Sequence, residues 1–299
     1  MGGHYGVTCN GKGTFYLGIL RTMPAINPPR LKIQSAELIQ NASDPDSFTR
    51  SYHEFLDYYA DRTYRPGQVG KPPPLLRAYQ VPKPVVWAVD KELSLWAARN
   101  RDEALALADT LWMEPYLEFR LTASSLIGQV FPLPVKSIYC RVESWIQAST
   151  EERLVNALVN FGLIRILHEY KDLYVKQLDT WLRSRNSEHN RLGLKACPAL
   201  LARREFEDYP LLFKRLNKLM RSENSPIRNE ILIVIEEFAA RTPEETAFFL
   251  DQALKSAGDN PQIAWYVRNS LEFFPPDTRS ALREVLVEVD WKDDNPNKN

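Results

Sequence analysis

Trp181-Leu182-Arg183-Ser184-Arg185-Asn186 recurs 38 residues on as Leu219-Met220-Arg221-Ser222-Glu223-Asn224. A looser copy, Ala253-Leu254-Lys255-Ser256 leading to Asp259-Asn260, follows 34 residues later. Trp145-Ile146-Gln147-Ala148-Ser149 precedes the first copy by 36. Each copy closes an apolar stretch of helical spacing, crosses a short polar turn and opens another apolar stretch. A period in this range marks stacked helix pairs, each too small to bury its own apolar face without a neighbour. Function in such an array is expected on a long concave surface rather than in a buried cleft.

Working outward, the text from Val85 to the C-terminus reads almost entirely as helix. Apolar positions recur at spacings of three and four: Val86, Val89, Leu93 and Trp96, then Leu105, Ala108, Leu111 and Trp112. Further helices are predicted over 116–130, 134–148, 151–169, 171–185, 188–203, 209–222, 226–241, 244–257, 261–273 and 277–289. Pro132-Leu133-Pro134, Asn186-Ser187, Asn224-Ser225-Pro226, Gly258 to Pro261 and Pro275-Pro276-Asp277 break them apart. Upstream, a helix is read over Leu31 to Gln40. Asp44-Pro45 is a start signal for a second helix, reaching about Arg62. Arg65 to Pro74 is the clearest loop. No window alternates at period two long enough to argue a strand. The expected fold is all-α: an α-solenoid of HEAT-like helix pairs, a right-handed α–α superhelix of about six pairs. Residues 1–27 are expected to be a poorly ordered leader, with Met23 a rival initiator. The solenoid is expected over 28–290, with a polar tail over 291–299.

Composition fits a folded chain: 299 residues, 44% apolar, 25% charged, with only 12 glycines, which argues against disorder. Net formal charge is zero but unevenly spread. Residues 134–228 carry 17 Lys/Arg against 11 Asp/Glu, a balance of +6, whereas residues 229–299 carry 7 against 14, a balance of −7. A basic middle beside an acidic end is compatible with a face that binds a polyanion, and equally with solvated helix faces. Cys9, Cys140 and Cys197 form no CxxC pair or disulfide framework, pointing to a reducing, cytoplasmic setting. No apolar run reaches membrane-spanning length. A monomer is expected.

A search for chemistry yields little. His4, His53, His168 and His189 lie far apart; Asp57 and Asp172 follow two of them by four, and surface polar pairs are the simpler reading. No metal site or cofactor is expected, since phosphate loops, dinucleotide fingerprints and nucleophile elbows are absent. Cys140 and Cys197 sit within apolar helix patterns and are expected to be buried, inert thiols. Trp87, Trp96, Trp112, Trp145, Trp181 and Trp265 fall on or beside apolar stripes, so core packing is the default for each. Trp265 is the exception, because Arg268 follows it by three on one helix face, a combination suited to nucleic acid. Arg153, Arg191 and Arg228 each lie early in the helix after a repeat turn. Stacking would bring them into a row, a candidate phosphate-tracking stripe.

With the repeats laid out, the chain resembles the bacterial DNA alkylation repair family of HEAT-like glycosylases, the AlkD-like group, from about Tyr79 to Phe274. The likeness is carried by Tyr79-Gln80-Val81-Pro82-Lys83-Pro84, by Ala104 to Trp112 followed by Glu118-Phe119-Arg120-Leu121, by Trp145 and Trp181 with the helix openings after them, and by Ile263-Ala264-Trp265 to Arg268. The resemblance implies a curved solenoid that grips duplex DNA by its backbone. It also implies excision of N3- or N7-alkylated purines without base flipping, with tryptophans and an aspartate stabilising the sugar cation. The family's Trp followed four residues later by Asp reads here as Glu152 and Asn156. Glu188 stands where a tryptophan is expected before the retained Arg191, and the next aromatic position falls at Ile233 unless Trp265 takes that role. The departures put catalysis in doubt. The expected function is duplex DNA binding through a basic concave surface, with glycosylase activity weak or lost. Two alternatives stay open: an active alkylpurine glycosylase whose site is rebuilt from Glu152 and Trp265, and a protein-interaction scaffold.

Overall fold

The two described asparagines that end repeat copies, Asn186 and Asn260, are helix caps. Asn186 Oδ1 accepts from the Glu188 amide at 2.9 Å, and Asn260 Oδ1 accepts from the Gln262 amide at 2.9 Å. Asn27 and Asp44 play the same part earlier in the chain, and Pro45 and Pro261 stand at first helical positions that need no amide hydrogen. In this computed structural model the described residues are 26–62, 75–130, 134–147, 151–222, 226–257 and 260–294. The expected leader up to residue 25, the loop over 65–74, and the ends of several repeat copies (Ser149, Asn224, Asp259) lie outside them. So do His4, Cys9 and the last five residues of the expected tail.

The helices are α1 (Pro28–Ile39), α2 (Pro45–Tyr59), α3 (Lys83–Ala97), α4 (Arg101–Met113), α5 (Leu117–Leu126), α6 (Val135–Gln147), α7 (Glu152–Ala157), α8 (Ile164–Glu169), α9 (Lys171–Arg183), α10 (Ser187–Leu201), α11 (Tyr209–Met220), α12 (Arg228–Arg241), α13 (Pro243–Lys255), α14 (Pro261–Ser270) and α15 (Pro276–Asp294). The last runs into the segment read as a polar tail. Among the described residues no strand forms, and Arg77 and Tyr116 make only an isolated bridge. The chain is all-α.

Two layers emerge from the packing. Along one, α3 lies on α5, α5 on α7, α10 on α12 and α12 on α14. Along the other, α2 packs on α4, α9 on α11 and α13 on α15. Between layers α4 meets α5, α9 meets α10, α12 meets α13 and α14 meets α15. This is the stacking that incomplete helix pairs require. The core is one continuous apolar cluster from Leu31 to Leu286, with Phe48, Phe119, Trp181, Phe238 and Tyr266 among its largest members.

Polar bonds at the repeat step pin the second layer together. Arg141 donates to both Asp109 oxygens at 2.8 and 2.7 Å, Trp181 Nε1 and Gln177 donate to Glu143, and Arg215 Nε donates to Asp179 at 2.6 Å. The turns are joined similarly: Arg221 donates to Ser256, and Asn260 Nδ2 donates to the Arg221 carbonyl. Arg241 gathers the carbonyls of Leu201, Arg203, Arg204 and Phe206. Several arginines of the basic middle are thus bound within the fold.

Two glycines mark close approaches. A Cβ on Gly193 would lie 2.9 Å from Leu182 Cδ2, so α9 and α10 touch nearly backbone to side chain there. A Cβ on Gly128 would overlap the Phe161 carbonyl. Phe161 belongs to a π-helical turn, Leu158–Gly162, that interrupts the helix expected over 151–169. One extra residue in the turn lets Leu163 bond Leu158 at 3.0 Å and brings Gly162 against Ile127 of the neighbouring pair.

Three expectations of burial fared differently. Trp112, Trp145 and Trp181 are core, with Trp112 and Trp145 stacked at 4.4 Å. Trp87 is 63% exposed, because α3 buries the line Val85, Val89, Leu93 and Ala97 and position 87 falls off it. Cys197 is buried, its thiol pushed up to about 12 by desolvation, but Cys140 is exposed. On α6 the buried positions are Ile138, Tyr139, Val142, Trp145 and Ile146, which turns Cys140 outward.

Candidate nucleic-acid interface

The layer running through α7, α10, α12 and α14 carries the residues singled out by sequence. Glu188, Arg191 and Lys195 lie three and four apart on α10 and so share one face. Lys195 Nζ donates to Glu152 Oε1 at 3.0 Å and to Asn156 Oδ1 at 3.3 Å, both on α7. Arg191 Nε donates to Glu230 Oε1 of α12 at 3.1 Å, with Glu188 at 3.7 Å from the same guanidinium. Glu230 also lies 3.9 Å from Lys195 Nζ. The result is a network across three successive helices, in which two cations answer three carboxylates.

Exposure grades this network from floor to rim. The Lys195 and Glu230 side chains are 10% and 12% exposed, whereas Glu152 is 65% exposed. The Lys195 hydrogen bond and charge hold the Glu152 carboxyl below the usual carboxylate range, so it stays ionised with its charge compensated.

A second arrangement sits one helix further on. The Arg228 guanidinium lies over the Trp265 ring, 5.0 Å from its centroid, and donates to Gln262 of the same helix. Tyr266, next to Trp265, has its hydroxyl pushed up to about 12 by burial, with Arg228 opposing the shift. Sequence spacing paired Trp265 with Arg268; it is Arg228, from the preceding repeat, that covers the ring, while Arg268 is exposed. Arg153 is exposed on α7 and has no partner among the described residues. The three arginines expected in a row therefore have three different settings: Arg153 exposed, Arg191 held by carboxylates, Arg228 laid on an aromatic ring.

Sequence reasoning missed Lys195 and Glu230. Lys195 follows Arg191 by four, which was available as a signal that both lie on one face. Among the described residues no group of three potential metal ligands occurs. His53 meets the Tyr79 hydroxyl at 2.7 Å and Glu114 at 3.2 Å rather than Asp57, which pairs with Arg62. His168 accepts from Arg203 rather than meeting Asp172.

Upstream of α3, residues 75–82 run along the surface as a strap. Buried Glu118 accepts the Tyr79 and Gln80 amides at 3.1 and 2.9 Å, and Glu151 accepts the Leu75 amide at 2.8 Å. Gln80 adopts φ 57°, the left-handed turn that aims successive amides at one carboxylate. This strap begins a matched region. The profile of a family described as DNA alkylation repair enzyme matches residues 78–272, against the expected 79–274. The chain belongs to that family. No curated protein matches it. The matched region contains the α7–α10–α12 network and the Arg228–Trp265 pair entire. No described helix is long and apolar enough to cross a membrane.

Proposed function

We propose that this DNA alkylation repair family member binds duplex DNA along the layer of α7, α10, α12 and α14 and releases alkylated bases slowly or not at all. One observation carries the reading: the Lys195 ammonium bonds both Glu152 and Asn156, so a cation stands where the family resemblance calls for an aspartate between aromatic faces. Loss of an N3- or N7-alkylated purine leaves a sugar cation, and a group that speeds it must offer uncompensated negative charge in a water-poor site. Asn156 is neutral. Glu152 is ionised, but its charge is answered by Lys195 and its side chain stands mostly in water, where such stabilisation is weak. Neither 152 nor 188 supplies a ring.

Support for binding comes from family membership and from the cations on offer. Arg153 and Arg268 are exposed at the two ends of the layer, with Arg191, Lys195 and Arg228 between them. Phosphate drawn in by Arg153 would then compete with carboxylates for Arg191 and Lys195.

The test is direct. Release of 7-methylguanine and 3-methyladenine from alkylated duplex DNA should be near background for the natural chain and should not fall further in Glu152→Gln. A combined Glu152→Trp, Asn156→Asp, Lys195→Ala variant should gain activity, about tenfold for each 1.4 kcal/mol of transition-state stabilisation restored. Robust release by the natural chain that collapses in Glu152→Gln would establish the rebuilt-site glycosylase instead. Absence of duplex binding at low salt would leave the protein-interaction scaffold as the reading.

A further inference from the structure

The polar ladder between the helix bodies of the second layer ends at α11, and beyond it only the turns are joined, Arg221 to Ser256. Asp109–Arg141, Glu143–Trp181 and Asp179–Arg215 join neighbouring helices up to α11. Between α11 and α13 no ion pair forms among the described residues; rings meet there instead, Phe213 stacking on Phe249 at 4.6 Å with planes 10° apart. The stack floors an open groove of about 660 Å³ walled by Tyr209, Pro210 and Phe248. Phe248 is 66% exposed, a large apolar side chain standing in water at the rim. Glu244 and Glu245 line the same groove in the first turn of α13, exposed and without an ion-pair partner among the described residues.

A floor of stacked rings, a free aromatic rim and two unanswered carboxylates describe one kind of guest. We propose that the α11–α13 groove docks a basic amphipathic helix of a protein partner, its apolar stripe on Phe213, Phe248 and Phe249 and its flanking lysines or arginines on Glu244 and Glu245. The geometry suits a helix. Hosts of 12 and 13 residues run about 18 Å, which gives about three turns of contact and apolar anchors at i, i+3, i+4 and i+7. The charge excludes nucleic acid at this place, since the rim would repel phosphate. The groove belongs to the other layer from the α7–α10–α12 network, so the proposal stands whether or not that layer binds DNA.

The probe is a fluorescein-labelled helical peptide of about 16 residues with leucines at those four spacings and lysines along both flanks, beside a twin with glutamates for the lysines. Fluorescence anisotropy on the full chain should give a dissociation constant of about 10 μM or tighter for the lysine peptide, and binding at least about tenfold weaker for its twin. Phe248→Ala, at an exposed site that leaves the core intact, should weaken the lysine peptide by about tenfold. Glu244→Lys combined with Glu245→Lys should invert the preference between the twins. The proposal fails if the lysine peptide does not bind, if both peptides bind alike, or if Phe248→Ala changes nothing. It fails equally if sedimentation shows the chain self-associating in a Phe248-dependent way, because the groove would then belong to a second copy.

Discussion

Replacing Glu230 by glutamine should make the protein bind duplex DNA more tightly. Glu230 is the one carboxylate that reaches both Arg191 and Lys195, at 3.1 Å and 3.9 Å, and it is 12% exposed. A phosphate can take Arg191 only by displacing Glu230, whereas Lys195 stays bonded to Glu152 at 3.0 Å. Each additional phosphate neutralised steepens the plot of log affinity against log salt by about 0.9 and, relative to 1 M salt, raises affinity about eightfold at 0.1 M. Freeing Arg191 should therefore tighten binding about eightfold at 0.1 M, with the slope steeper by about 1. Loss of the pairing also leaves Arg191 with only the 3.7 Å approach to Glu188, so a stability loss of about 1–2 kcal/mol should accompany the tighter binding. Anisotropy titrations of a labelled duplex across a salt series measure affinity and slope together. Glu237→Gln is the control, an exposed carboxylate seven residues along the same helix; it alters net charge equally and should leave the slope unchanged. If Glu230→Gln and Glu237→Gln behave alike, phosphate does not compete for Arg191, and this layer is not the DNA-binding face.

Two further predictions concern the scaffold. Asp90 keeps Oδ1 buried without a hydrogen-bond partner, and desolvation pushes its carboxyl up to about 7. The folded chain holds a proton there that the unfolded chain sheds near pH 4, so stability should fall as pH rises from about 4 to about 7 and level off above. Asp90→Asn should flatten that slope and stabilise the protein at pH 8 by about 1–3 kcal/mol, below the ceiling of about 4 kcal/mol that three units represent; chemical denaturation at several pH values measures it, and an unchanged slope would place the titration elsewhere. Gly128→Ala should cost about 3 kcal/mol or more, because the new methyl meets the Phe161 carbonyl of the π turn and backbone cannot step aside as a side chain can. Thermal unfolding reads this directly, and a neutral result would show that the π turn yields.

The fold was legible because repeat turns and helical period are local. Asn186 and Asn260 announce helix starts by their own side chains, and the breakers between helices need no knowledge of neighbours. The π turn at Leu158–Gly162 was not legible, since it answers a contact from Gly128 and Ile127, some thirty residues earlier in the chain. Faces were read well where the stripe is long and poorly where one residue decides. Trp87 and Cys140 each stand two positions from a buried residue, Val85 and Ile138, and a rotation of two residues on a helix turns inside to outside.

The candidate site fails to be legible for a related reason, one of register. Bonds between neighbouring repeats join residues 32 apart at Asp109–Arg141, 36 apart at Asp179–Arg215, 39 apart at Arg191–Glu230 and 43 apart at Glu152–Lys195. That spread exceeds one helical turn. On α10, Arg191 and Lys195 are one turn apart, so sequence alone could assign either of them to Glu152 and the other to Glu230. The two assignments have opposite chemical meaning for Asn156: a lysine reaching across at 3.3 Å sets a cation against its side chain, whereas an arginine turned away would leave it open. The same register pairs Trp265 with Arg228 from the preceding repeat, 37 residues back, instead of Arg268 three residues on. Residue types mark where a repeat protein of this kind keeps its polar groups. Which charge meets which is set by the step from one helix pair to the next, and that step is a property of packing in the core.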